Sequence, residues 1–143
     1  MYTSDKPASE KSYAAVIGAY LLATVLCAFF GAVYELFSHE VYSRFMIYAF
    51  AFPLLLGVIP FFLRQKRGKP FPGREADLVH AGVAALTVGS VLQGALEIYG
   101  TSSPLSSAYW ITGALMTAAG WAAAGYLNKN RAVRTTGKGI GKD

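Results

Sequence analysis

Charge is what this sequence has least of. Asp, Glu, Lys and Arg make up 15% of its 143 residues, against about a quarter in ordinary soluble domains. A chain this small has a high surface-to-volume ratio and needs polar side chains to cover itself in water. Over long runs it has none, which implies that the surrounding solvent is lipid. Cysteine is nearly absent as well. The single Cys27 excludes an internal disulfide and a thiolate metal cluster. Leu26 before it is too bulky for a lipoprotein cleavage site, and the apolar run around it outlasts the about 7–15 residues of a signal-peptide core. That run is expected to be a retained helix. No charged residue stands near the middle of any apolar run, the usual place for a group that couples transport to protons or cations. No nucleophile–base pair is evident, so an enzyme is not expected.

What is present is long apolar runs. After a polar stretch over residues 1–12, no charge appears until Glu35. Tyr13–Tyr34 measures about 33 Å as a helix, enough to span a bilayer core. Its small residues Ala19, Ala23, Cys27 and Gly31 recur every four positions, a pattern that lets helix backbones approach. Phe45–Leu63 is uncharged and long enough for a second span. It contains Pro53 and Pro60, which predict a bend near Leu56. Leu78–Leu96 is the third, with Gly82, Ala85, Gly89 and Gly94 as its small surface and Glu75 and Asp77 where a helix N-terminus favours negative charge. Ser103 before Pro104 reads as an N-cap followed by a first-turn proline. A fourth span starts there and runs to about Leu127, with Gly113, Thr117, Gly120 and Ala124 along one side. Tyr109, Trp110, Trp121 and Tyr126 are placed like interfacial aromatics.

The expected fold is an all-α integral membrane protein, an up-down-up-down bundle of four transmembrane helices over about 13–36, 45–63, 78–97 and 105–127. This membrane domain, 13–127, lies between the polar N-terminal stretch 1–12 and a basic, disordered tail over 128–143. Gly137–Lys142 has a superficial likeness to a phosphate loop but lacks its spacing. The third and fourth helices, rich in Ala and Gly, are expected to pack most closely, with the aromatic first hairpin around them. The size is similar to that of small multidrug exporters and fluoride channels. The buried glutamate of the first is missing from the middle of Tyr13–Tyr34, and the polar-track residues of the second cannot be placed, so no family is assigned.

The net charge of +5 does not point to nucleic acid. The basic residues sit at the ends of apolar runs, and the aromatics lie inside those runs rather than among the basic residues as a base-stacking surface requires. Lys6 and Lys11 precede the first run. Arg64, Lys66, Arg67, Lys69 and Arg74 lie between the second and third. Lys129, Arg131, Arg134, Lys138 and Lys142 follow the fourth, leaving Arg44 alone for the other two loops. The positive-inside rule then puts both termini and the central loop in the cytoplasm, with the chain in the plasma membrane. Anionic lipid headgroups are the expected partners of the basic loop and the C-terminal tail.

Candidate chemistry is sparse. Glu35 and His39 are four residues apart and so share a helical face, and Glu97 ends the third run on the same side. The three could converge on zinc or another divalent ion; the alternative is that all three are headgroup-level polar groups. No other cofactor is implied. His80 lies about one turn inside its run and reads either as an interfacial residue bonded to a neighbouring helix or as a proton relay. The expected function is that of an accessory or structural subunit acting through helix–helix association, with itself or a larger membrane partner. The alternative is a small oligomeric transporter or channel.

Overall fold

The computed structural model describes residues 8–37, 43–69 and 73–137. Among them the chain is helical, with no strand. Helix α1 covers Ala8–Phe37, α2 Arg44–Lys66, α3 Glu75–Ile98 and α4 Leu105–Gly137. Three are long and apolar enough to cross a membrane: α1 over Tyr13–Phe37, α2 and α3. Helix α4 is the longest, but its middle is built from Ala, Gly, Thr and aromatics rather than Leu and Val, which makes it less hydropathic. Its C-terminal part departs from the expected tail. Asn128–Gly137 continues the helix instead of leaving it at Leu127. Lys129, Arg131, Ala132 and Arg134 are good helix formers, and cations in the last turns oppose the negative end of the helix dipole. Residues 8–12, also expected in a tail, have helical backbone.

The order of the helices follows from what each end touches. Gly31 of α1 and Gly94 of α3 both lie against the backbone of Met46, in the first turn of α2. At the other end, the Tyr13 hydroxyl donates to the carbonyl of Lys69, just past α2, and Gly120 of α4 lies beside the carbonyl of Glu75. Successive helices are therefore antiparallel, with α2 and α4 packed on α3 and α1 packed mainly on α2. The chain leaves α2 and α3 by the same device. Gly68 and Gly100 adopt left-handed backbone, with φ of 62° and 69°, and the amides of Lys69 and Thr101 reach back to the carbonyls of Arg64 and Leu96. These are Schellman closures, which glycine makes without steric cost. Ser103 does cap α4, its Oγ accepting from the Leu105 amide at 3.3 Å.

Helices α3 and α4 form the closest pair. A Cβ at Gly113 would lie 3.0 Å from the Gly82 carbonyl, one at Gly89 2.7 Å from Cβ of Tyr109, and one at Gly120 2.9 Å from the Val79 amide. Such distances exclude any side chain, so these backbones touch because glycine lets them, gaining van der Waals contact along the whole interface. Helix α1 is the least enclosed. Its most apolar window is 11% buried, against 39% for α3.

Helix α2 is irregular in the middle. Pro53–Val58 forms a π-helical turn, with the Ile59 amide bonding to the carbonyl of Leu54. Pro53 supplies no amide, which removes one regular hydrogen bond and permits the wider turn. The wide turn has a packing reason. The buried residues Ala49, Pro53, Gly57 and Phe61 recur every four positions. In a regular α-helix that spacing drifts about 40° per step, and Phe61 would swing out of the line. The wider turn absorbs the drift. Gly57 then sits against the Tyr20 ring, and Phe61, fully buried, anchors the main core with Tyr13, Ala76, Val79 and Val83. Three of the four aromatics placed as interfacial in α4 also pack inward: Trp110 against Phe45 and Phe52, Trp121 against Phe61 and Tyr109 against Gly89. Tyr126 is exposed.

Two glycines in α4 allow a test with opposite signs. Gly120→Ala is expected to lower the melting temperature in detergent, because its methyl meets α3 backbone. Gly125→Ala meets open space and should hold or raise it, since alanine is about 1 kcal/mol better than glycine inside a helix. Two equal melting curves would show that α3 and α4 are not in backbone contact.

Candidate functional site

The polar side chains fall into two groups, one at each end of the bundle. Near the C-terminal end of α3, buried Ser43 donates from Oγ to Glu97 Oε2 at 2.7 Å. About two turns further in along α3, fully buried Ser90 donates to the carbonyl of Phe45 at 2.6 Å. Both bonds tie the start of α2 to α3. Of the three residues expected to hold a metal, Glu35 lies in the last turns of α1 and Glu97 in the last turn of α3, while His39 lies outside the described residues. Among the described residues no three His, Cys, Asp or Glu side chains are grouped to hold an ion, and the Glu97 carboxylate is engaged by Ser43. The zinc reading stays tied to His39. It predicts that zinc raises the melting temperature at neutral pH in the parent chain and not in His39→Ala. It also predicts that the effect fades as pH falls, because a protonated imidazole cannot bind metal. A melting curve unmoved by zinc would leave these carboxylates as plain polar groups.

The second group is more elaborate, and it lies toward the basic end. The Tyr20 hydroxyl of α1 and Nδ1 of His80 in α3 are 2.6 Å apart. The His80 ring stacks on Phe61, with centroids 5.4 Å apart and planes 12° apart. Tyr20 stacks on the same ring at 5.9 Å, and Tyr13 meets it edge-on at 6.4 Å. Trp121 also packs against Phe61, with centroids 5.2 Å apart, and the Arg64 guanidinium lies 6.0 Å from the Trp121 centroid. Trp121 Nε1 is buried with no hydrogen-bond partner among the described residues. His80 is thus bonded to a neighbouring helix, one of the two readings its position allowed.

The Tyr20–His80 bridge spans a cleft. Helices α1 and α3 both pack on α2 but diverge from each other, leaving an open groove of about 370 Å³. Val16, Ala19 and Ala23 form one wall, Val83, Ala84 and Thr87 the other, with Pro53 as the floor. The Thr87 hydroxyl donates to the Val83 carbonyl of its own helix, so the groove is apolar apart from its histidine and tyrosine. Sequence reasoning named His80 but not Tyr20. The only signal for Tyr20 was a tyrosine in an otherwise aliphatic stretch, and nothing local to it identifies a partner sixty residues away. Compared with known proteins, the chain matches no family model, no curated protein and no solved structure.

Tyr20→Phe keeps the ring stacking and removes the hydroxyl. It should cost about 1 kcal/mol, the net worth of one buried hydrogen bond, and nothing further once His80 is already phenylalanine. A full additional loss in the His80→Phe background would show that the two groups are not partners.

Proposed function

We propose that the chain is a four-span membrane protein that acts as an accessory or structural subunit, associating through the outer side of α4. The observation that carries this reading is where the small residues fall. Gly113, Thr117, Gly120 and Ala124 of α4 are buried, the first three against α3. On the opposite side Ala118, Ala119, Ala122 and Gly125 are exposed, with nothing near Gly125. A flat surface of this kind beside Leu115 and Tyr126, both about two thirds exposed, suits the close approach of another helix, since lipid chains themselves give apolar side chains no reason to associate. That helix belongs to a second copy or to a larger membrane partner.

The charge distribution supports an orientation with both termini in the cytoplasm of a cell whose plasma membrane holds the bundle. Arg64, Lys66, Arg67, Lys69 and Arg74 and the exposed Lys129, Arg131 and Arg134 of α4 lie at the same end of the helices. That end suits the cytoplasmic leaflet and its anionic headgroups. A small oligomeric transporter or channel is the weaker reading. Thr24, Thr87 and Thr117 donate to carbonyls one turn back, and Ser90 donates to Phe45. Hydroxyls spent in this way do not line a polar route.

Two measurements test the proposal. A reporter fused after Asp143 should be active on the cytoplasmic side only. In a Cys27→Ser background, a cysteine placed at Ala122 should form cross-links in native membranes that Ala118→Leu abolishes, whereas a cysteine at exposed Phe29 of α1 should not. Cross-linking at both positions alike would show that α4 has no special face.

A further inference from the structure

We propose that the cleft between α1 and α3 is a binding site for one acyl chain of an ester-linked anionic phospholipid, with the ester carbonyl accepting a hydrogen bond from Nε2 of His80. This deepens the membrane reading above and rests on it. The first ground is the chemistry of the walls. Ala19, Ala23 and Ala84 leave a trough with no polar group of its own besides the Tyr20–His80 pair, and its volume of about 370 Å³ falls within the range of small-molecule sites. Between His80 and Thr87 the trough follows α3 for about 10 Å, the length and shape of a stretch of extended hydrocarbon chain.

The second ground is the one polar group left over. A phenol is the natural donor to an imidazole nitrogen, so with Tyr20 donating to Nδ1 the neutral ring carries its proton on Nε2. That nitrogen has no hydrogen-bond partner among the described residues. A single N–H on a neutral ring suits a neutral carbonyl oxygen. A free carboxylate would need a cation, and no cationic side chain lines the groove; the Arg64 guanidinium lies over Trp121. A flat carbonyl-bearing ring such as a quinone fits less well. Phe61 is fully buried, with His80 and Tyr20 stacked on it, and offers no free face.

The third ground is depth. His80 comes about 7–8 Å along α3 from Glu75 at its basic end. In a bilayer this is where ester carbonyls lie, just inside the headgroups, with chains running from there toward the midplane. The basic residues Lys66, Arg67, Lys69 and Arg74 lie at the same end, the end at which the phosphate would sit.

The test uses the full chain purified in mild detergent and native mass spectrometry with three added probes: diester phosphatidylglycerol, its diether analogue, and oleate. The expected result is one retained diester lipid per chain, bound about fivefold more tightly than the diether, the loss of one hydrogen bond. Ala84→Phe, at an exposed position lining the groove, and Ala23→Leu, on the facing wall, should each remove the retained lipid. Ile111→Phe on the outer side of α4 should not. His80→Phe should erase the diester preference. Equal retention in the groove variants, equal binding of diester and diether, or a preference for oleate would overturn the proposal. Carbonate extraction of the source membranes separates its failure from that of the membrane reading. A chain that resists extraction yet retains no lipid overturns the site alone; a chain that is extracted overturns both.

Discussion

Gly82 and Gly113 approach so closely that the carbonyl of one occupies the space a Cβ would take on the other, and much of the remaining structure depends on this contact. Dispersion attraction falls off steeply with separation, so two helices held apart by even a methyl group lose attraction along their whole length. The α3–α4 pair is a rigid unit because glycine recurs where the two cross. Helix α2 then docks on that unit through Ser43, Ser90 and Met46 at one end and Phe61 at the other. Helix α1 is held largely by α2. The Tyr20–His80 bond ties it to α3 across the cleft that opens between those two helices.

The hierarchy has a chemical counterpart. Where helices meet closely, the polar groups are hydroxyls that return their protons to nearby carbonyls, leaving little free hydrogen-bonding capacity. Where they diverge, a histidine and a tyrosine bridge the gap. The groups with chemistry to spare, an imidazole nitrogen and an indole N–H, collect around one phenyl ring at the end of the bundle that also carries most of the positive charge.

How much of this was legible in the sequence varies from element to element, for physical reasons. Long apolar runs stand out from polar flanks, so the three helices long and apolar enough to cross a membrane could be placed to within a few residues. Ser103–Pro104 marked the start of α4 because capping is a local matter. The Gly82/Gly89 and Gly113/Gly120 repeats pointed to the α3–α4 interface, since small residues at helical spacing have few other uses. The end of α4 was misjudged because a run of Lys, Arg and Ala serves equally as tail or helix, and composition does not choose between them. The inward turn of Trp110 and Trp121 depends on where α2 lies, and the pairing of Tyr20 with His80 on the tertiary fold; neither is encoded locally. Glu97 was grouped with Glu35 and His39 as a possible metal site only because it ends its apolar run on the side expected for those two. Its hydrogen bond goes to Ser43, a residue that carries no such signal.

The π turn over Pro53–Val58 bears on how the chain can change in length. A π turn is an α-helix that has taken in one extra residue while keeping both flanks in phase with their surroundings. Removing a residue from that turn would restore the ordinary helical repeat and leave Met46 and Phe61 facing the same neighbours. Removing one anywhere else in α2 would rotate everything beyond it and turn Phe61 out of its cluster. Among homologous sequences, insertions and deletions within the helices should therefore gather at this turn, so that a gap in an alignment would mark the same spot that the hydrogen bonds do.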